Sequence, residues 1–236
     1  MTISIFATGT SRGIGKAIVD RFTGEDVRLI GHRSSDGDDS TLAADLLDPT
    51  APRRIWDQAL AQLDGRIDVL INNAGIFEAA SIDAPDASWT EAWNRTMQIN
   101  VTASAELCRL AVLHFRRHGG GRIINIASRA AYRGDSPSHW HYAASKAGMV
   151  AMTKTIARGY AAEGILAFAL CPGFTMTGMA EDYLSSRGGD KLLADIPLGR
   201  VAEPLEVADT VKFLALDAPA SMTGAVIDIN GASYVR

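Results

Sequence analysis

Short apolar, β-branched runs alternate with longer stretches of helical periodicity along the 236 residues. Residues 3–7 and 27–31 read as strands, with a helix over 14–22 between them. After a polar gap, residues 41–46 form a short third strand. A helix over 55–63 and a strand over 67–71 follow. The long helical stretch 88–118 carries a break near Asn100. Strand 122–127, helix 142–162, strand 166–171, helix 204–216 and strand 225–229 complete the chain. This alternation predicts right-handed βαβ units around one parallel sheet, with helices on both faces. We expect an α/β fold of the doubly wound Rossmann type, 1–236 as one domain, with seven strands in the order 3-2-1-4-5-6-7. No internal repeat, heptad or low-complexity segment interrupts it, and 34–40, with Asp36, Asp38 and Asp39, reads as a loop.

Composition narrows the classes. A hydrophobic share of 47% supports a large core, and a net charge of -4 argues against a nucleic-acid binder. The two cysteines, Cys108 and Cys171, have no metal-ligand or disulfide-framework spacing, so no metal is expected. The first residues lack a signal-peptide pattern and no apolar run is long enough to span a membrane, which points to a cytoplasmic protein.

The first strand runs into Gly9-Thr10-Ser11-Arg12-Gly13-Ile14-Gly15 and then a helix. Glycines let backbone approach a pyrophosphate closely, and the helix N-terminus offers N–H groups and a positive dipole end. The spacing G-x-x-x-G-x-G differs from the usual G-x-G-x-x-G, so a turn without a ligand stays open on this motif alone. An NAD site carries an acidic residue at the end of the second strand. Here that end reads Ile30-Gly31-His32-Arg33, with no carboxylate. Arg33 and Arg12 are placed to meet a 2′-phosphate, which favours NADP(H) over NAD(H). Two solvated arginines are the alternative, and the nearby aspartates count against a phosphate.

Tyr142 and Lys146 lie four residues apart on one helical face. A phenol titrates near 10, and reaching about 7 takes about 4 kcal/mol. A cation about 5 Å away supplies roughly 3 kcal/mol at an effective dielectric near 20. We therefore expect the lysine to lower the tyrosine pKa. A surface Tyr and Lys at this spacing is the alternative.

Together the glycine turn, Asn72-Asn73-Ala74-Gly75, Tyr142-x-x-x-Lys146 and Pro172-Gly173 resemble, in order, the short-chain dehydrogenase/reductase family. The resemblance covers residues 3–231 and is closest in pattern to the 3-oxoacyl-[acyl-carrier-protein] reductases. It implies Tyr142 as general acid and base, with Lys146 lowering its pKa and binding the nicotinamide ribose. It implies that Ser128 bonds the substrate carbonyl and that Asn100 marks a helix irregularity holding a relay water. Gly9, Ser11, Arg12, Gly13, Ile14, Gly15, His32, Arg33, Asp45, Leu46, Asn73, Ala74, Gly75, Pro172, Gly173, Thr175 and Thr177 would contact the cofactor.

The resemblance further implies a homo-oligomer, a tetramer in many relatives, acting on a small carbonyl or alcohol, with an acyl carrier protein as a weaker partner. A sugar, polyol or other small secondary-alcohol dehydrogenase and a non-catalytic NADP(H) sensor are the rivals. The chain departs from the family in three places. Only 13 residues separate His32 from Asp45, so the helix between the second and third strands should shrink to a loop or turn. Ser128 and Tyr142 are 14 apart, and the loop 136–141 should border the substrate pocket. Asn230-Gly231-Ala232 stands in place of Asp-Gly-Gly. His139 and His141 lack a third ligand for a metal, Cys171 reads as buried, Trp89 and Trp93 as packing one helix face, and Arg116 and Arg117 as favouring a helix C-terminus. The lid region 176–193 has no chemical signature.

Overall fold

The computed structural model describes residues 2–35, 40–177 and 189–236. Within them a parallel sheet of seven strands runs in the order β3-β2-β1-β4-β5-β6-β7, as expected. The strands are β1 (Ile3–Ala7), β2 (Val27–Arg33), β3 (Thr41–Ala43), β4 (Val69–Asn72), β5 (Gly121–Ile126), β6 (Ile165–Pro172) and β7 (Val226–Ile229). The helices are α1 (Gly13–Phe22), α2 (Ala51–Gln62), α3 (Asp86–Met97), α4 (Ala103–His118), α5 (Ala130–Arg133), α6 (Trp140–Tyr160), α7 (Gly189–Ala194) and α8 (Pro204–Leu216).

Alternating side chains on each strand feed two apolar layers. On one face Phe6, Leu70, Ile123 and Ala167 pack against Ile55 and Trp56 of α2, Leu107 and Phe115 of α4, and Ile156 of α6. On the other, Ile5, Ile71, Ile124 and Phe168 meet Ile18 and Phe22 of α1 and Val207, Val211 and Leu214 of α8. The strands are covered on both sides, which is why they read as continuous apolar runs. Burial of a side chain such as Phe115, fully enclosed, stabilises the fold by roughly 2–3 kcal/mol. Gly119, at φ 81°, closes α4 in the left-handed region. Glu203 and Glu206 cap α8 reciprocally, and Pro204 starts it.

Two local expectations are corrected, and one element is added. The long helix does not break at Asn100. It continues through a π-helical turn, Gln98–Thr102, between α3 and α4. The third strand stops at Ala43, because only Thr41–Ala43 finds ladder partners, Gly31–Arg33 of β2. Ala44 then follows with its N–H on the Arg33 carbonyl at 3.0 Å. The short α5 was not foreseen; four residues are too few for a periodicity to show. Asp36, Asp38 and Asp39, and residues 178–188 of the lid region, lie outside the described residues.

The sheet's carboxyl edge gathers the ends of β1, β4, β5 and β6 beside the N-termini of α1 and α6. In an open α/β sheet that edge is where ligands bind.

Candidate active site

The glycine turn is a tightly braced piece of backbone. Gly9 and Gly13 sit at φ 69° and 53°, the left-handed region that glycine tolerates. A Cβ on Gly15 would lie 1.9 Å from the Gly9 carbonyl oxygen, so no larger residue fits. Thr8 holds the next crossover, its hydroxyl oxygen accepting the Asn73 and Ala74 N–H groups at 3.1 Å each. Asn73 Nδ2 donates back to the Gly9 carbonyl at 2.8 Å. Ser11 and Arg12 are exposed, Ile14 is half-buried, and no side chain caps α1. The first-turn N–H groups of α1 are therefore left without a side-chain cap at the glycine turn, an arrangement that could hold phosphate oxygens.

His32 takes a different place from the expected one at the cofactor edge. It is only 2% exposed. Its Nδ1 accepts the Gly9 N–H at 3.3 Å, and its Nε2 donates to the Ala44 carbonyl at 2.9 Å. Burial lowers its pKa, which keeps the ring neutral and in this tautomer. His32 thus supports the turn from beneath. Arg33, one residue on, has a buried Nε without a hydrogen-bond partner among the described residues. Asp45 is exposed, with one oxygen on the Leu47 N–H at 2.9 Å. Leu46 is buried beside it, and its carbonyl accepts from Gln98 at 3.3 Å.

Across the cleft the π-helical turn aims Asn100 inward. Its Oδ1 accepts the Ile76 N–H at 2.8 Å, and its Nδ2 donates to the Ile76 carbonyl and the Ser145 hydroxyl at 3.1 Å each. Asn100 thereby fixes the segment that follows Gly75. A Cβ on Gly75 would sit 3.3 Å from Asn100 Oδ1 and 3.4 Å from Lys146 Nζ, so the absence of a side chain there lets three elements converge.

Tyr142 and Lys146 occupy the first turns of α6. Ser128, just beyond β5, stands near enough to Tyr142 to favour its phenolate, and its hydroxyl accepts the Ala130 N–H at 3.1 Å. Lys146 Nζ donates to the Ile126 carbonyl at 2.9 Å and lies 5.7 Å from the centre of the Tyr142 ring. Burial pushes Lys146 down to about 8. Burial also pushes Tyr142 up to about 12, against the Ser128 hydroxyl that favours the phenolate. The expected lowering by Lys146 is not found in the protein alone. Desolvation of the phenol dominates, and the ammonium is directed at the ring and the Ile126 carbonyl.

At the end of β6, the Pro172 carbonyl accepts the Arg129 N–H and the Gly173 N–H reaches the Ile229 carbonyl, both at 2.9 Å. A Cβ on Gly173 would meet Asn230 at 2.8 Å. Thr175 is buried, with its hydroxyl on the Gly173 carbonyl at 3.3 Å. Thr177 abuts the glycine turn, its methyl 3.0 Å from where a Gly13 Cβ would stand.

Phe77, not singled out from sequence, stacks on His139 with ring centres 3.9 Å apart and meets Tyr142 edge-on at 4.7 Å. Its position directly after Asn73-Ala74-Gly75-Ile76 was the available signal. His139 bonds the Ser136 hydroxyl at 2.7 Å and His141 the Glu78 carbonyl at 2.9 Å, so the loop 136–141 is anchored beside Tyr142. Trp89 and Trp93 stack at 5.4 Å, Cys171 is buried, and Arg116 pairs with Glu163 at 2.6 Å.

Residues 9–232 match the family described as "Enoyl-(Acyl carrier protein) reductase". The 3-oxoacyl-[acyl-carrier-protein] reductase FabG of Vibrio cholerae is 32% identical, over 97% of this chain and 96% of that protein. The Thermotoga maritima FabG is 35% identical, over 95% and 94%. An uncharacterized short-chain type dehydrogenase/reductase of Sinorhizobium fredii, y4mP, is 30% identical, over 100% and 98%. The solved structure described as "ElxO with NADP Bound" superposes with a TM-score of 0.88 at 24% identity, covering 99% of each chain, and shares the fold. With the parallel sheet, the glycine turn and the Tyr142–Lys146 pair, these likenesses place the chain in the short-chain dehydrogenase/reductase family of oxidoreductases.

Proposed function

We propose that the protein interconverts a ketone and a secondary alcohol with NADP(H), using Tyr142 as the proton donor and acceptor. The observation that carries this is the convergence of Ser128, Tyr142 and Lys146 at the carboxyl edge of the sheet, with Lys146 Nζ 5.7 Å from the centre of the Tyr142 ring. The residues fit a dinucleotide. The glycines let the turn close tightly against Ala74 and Thr177, with no side chain capping the first-turn N–H groups of α1, and Arg33 keeps an Nε without a partner among the described residues at the end of β2. That donor favours a 2′-phosphate over a bare 2′-hydroxyl. The NADP bound in the ElxO structure agrees with this choice.

When bound, the nicotinamide supplies or takes the hydride. Ser128 orients the substrate oxygen, and Tyr142 passes its hydroxyl proton to that oxygen in reduction. Lys146 places a positive charge beside the phenol and the ribose site. Asn100 holds the backbone at Ile76 that lines this cleft, and Phe77 and His139 wall it. Gly9, Ser11, Arg12, Gly13, Ile14, Gly15, Asp45, Leu46, Asn73, Ala74, Thr175 and Thr177 form the cofactor's side of the cleft in this reading.

The relatives make a 3-oxoacyl thioester the first substrate class to test. The test is NADPH and NADH oxidation against a panel of ketones and acetoacetyl thioesters. Reduction with NADPH preferred supports the reading, and turnover with neither cofactor on any ketone rejects it. We further infer a homotetramer, supported by apolar side chains that α4 and α8 leave exposed, Leu113, Leu205 and Phe213.

A further inference from the structure

We propose that Arg129 binds a carboxylate carried by the substrate, so that the preferred carbonyl compounds are oxo acids. The inference rests on the carbonyl reduction proposed above and deepens it.

Arg129 directly follows Ser128, and its N–H is pinned to the Pro172 carbonyl at 2.9 Å. Its root is therefore fixed between the ends of β5 and β6, beside the reacting groups. The side chain is 11% exposed. Its guanidinium lies 4.9 Å from the centre of the Phe174 ring, and Nη1 is buried with no hydrogen-bond partner among the described residues. Among the described residues its ion-pair partner is Asp195, whose oxygen lies 3.8 Å away, beyond hydrogen-bond reach, and is hydrogen-bonded by Arg133 instead. Arg133 also reaches the Ser233 carbonyl at 3.4 Å, which commits it to the C-terminal segment.

A structural ion pair would use its donors. Leaving a guanidinium N–H buried and unmade costs stability, and such a cost is retained where the donor has work to do. A guanidinium fork matches a planar carboxylate in two parallel bonds. Arg133 adds to the positive charge around Arg129 while Asp195 and Asp135 offset it, and the planar fork matches the two oxygens of a carboxylate. A neutral acyl chain would press apolar surface on a desolvated cation. Arg129 is rooted next to Ser128, so a substrate that reaches both would carry its carboxylate within the span of one arginine side chain from the carbonyl. The reaction itself is unchanged: hydride reaches the carbonyl carbon, Tyr142 protonates the oxygen, and an hydroxy acid and NADP⁺ leave.

The experiment compares acetoacetate and levulinate with their methyl esters, using NADPH and the full chain. Wild type should show kcat/KM at least about tenfold higher for the acids. Arg129→Met should lower the acid values by about 10²-fold while the esters change less than about threefold. Arg129→Lys should fall between, keeping charge without the fork. Arg133→Met, which removes the other partner of Asp195, should keep the preference for acids. A parallel loss on acids and esters in Arg129→Met, or no acid preference in wild type, overturns the proposal and leaves the reductase reading intact. If wild type reduces none of the four, the reductase reading fails for these ketones. Binding then decides the carboxylate site: acetoacetate should raise the Tm of wild type and not of Arg129→Met, and equal shifts overturn it.

Discussion

Asn100 donates to the Ser145 hydroxyl at 3.1 Å, and that hydroxyl donates in turn to the Tyr142 carbonyl at 2.7 Å. The π-helical turn is thereby coupled to the first turn of α6, where the candidate proton donor sits. Asn100→Ala removes this link and both bonds to Ile76. We expect a loss of about 2–4 kcal/mol, from two or three buried partners left unsatisfied. Urea unfolding at neutral pH measures it. A loss below about 0.5 kcal/mol, the scale of ordinary surface changes, would contradict the role given to Asn100.

Tyr142→Phe keeps the ring that packs against Phe77 and removes only the hydroxyl. Turnover should fall by about 10²-fold or more, the scale of a lost general acid. NADPH affinity, followed by fluorescence, should stay within about twofold. Full activity in this variant would end the proposed chemistry whatever the fold.

Lys146 couples site to stability. Its folded pKa of about 8 lies below the ordinary 10.5. Between those values the unfolded chain holds a proton that the folded protein has released, so stability rises with pH across that window. Below about 8 both states are protonated and the burial penalty is present in full. Lys146→Met should therefore be more stable at pH 7, by roughly 1–3 kcal/mol, and should lose the rise. Tyr142, raised to about 12, acts oppositely but only above pH 10, its ordinary value. Denaturation midpoints of both proteins from pH 7 to 10 give the answer, and parallel profiles would contradict it.

Arg33→Ala removes the donor left without a partner among the described residues at the end of β2. Dissociation constants for NADPH should rise about tenfold or more, with those for NADH changed by less than about threefold. Equal losses for the two cofactors would show that Arg33 does not read the 2′-phosphate.

Leu113 on α4 and Phe213 on α8 are about two-fifths exposed, at 40% and 41%. In a tetramer such faces are covered by other copies. Phe213→Glu should shift sedimentation to a smaller species at micromolar protein. A wild-type monomer at that concentration rejects the oligomer.

How far the sequence reached depends on how local each cause is. The strand order was legible because apolar runs covered on both faces, such as 165–172, keep their pattern whatever packs on them. The glycine turn was legible because its spacing is a steric requirement of the backbone itself. His32 was misplaced because its partners, Gly9 and Ala44, come from different segments, and only the assembled sheet shows the ring turned inward. The Tyr142 shift was misjudged because a charge-distance estimate contains the lysine but not the desolvation of the phenol. Arg129 drew no attention because exposure of an arginine is the default, and its burial is a tertiary fact.

The brace around Gly9 has a consequence for how fast the nucleotide is captured. His32, Asn73 and Thr8 hold that backbone through β2 and β4, so its disorder, about 1–2 kcal/mol per residue, has already been given up in folding. Little remains to be frozen when a pyrophosphate arrives. In the proposed reading, encounter would then depend on diffusion and on the field of Arg12 and Arg33, making the association rate sensitive to ionic strength, with no slow step from the turn itself.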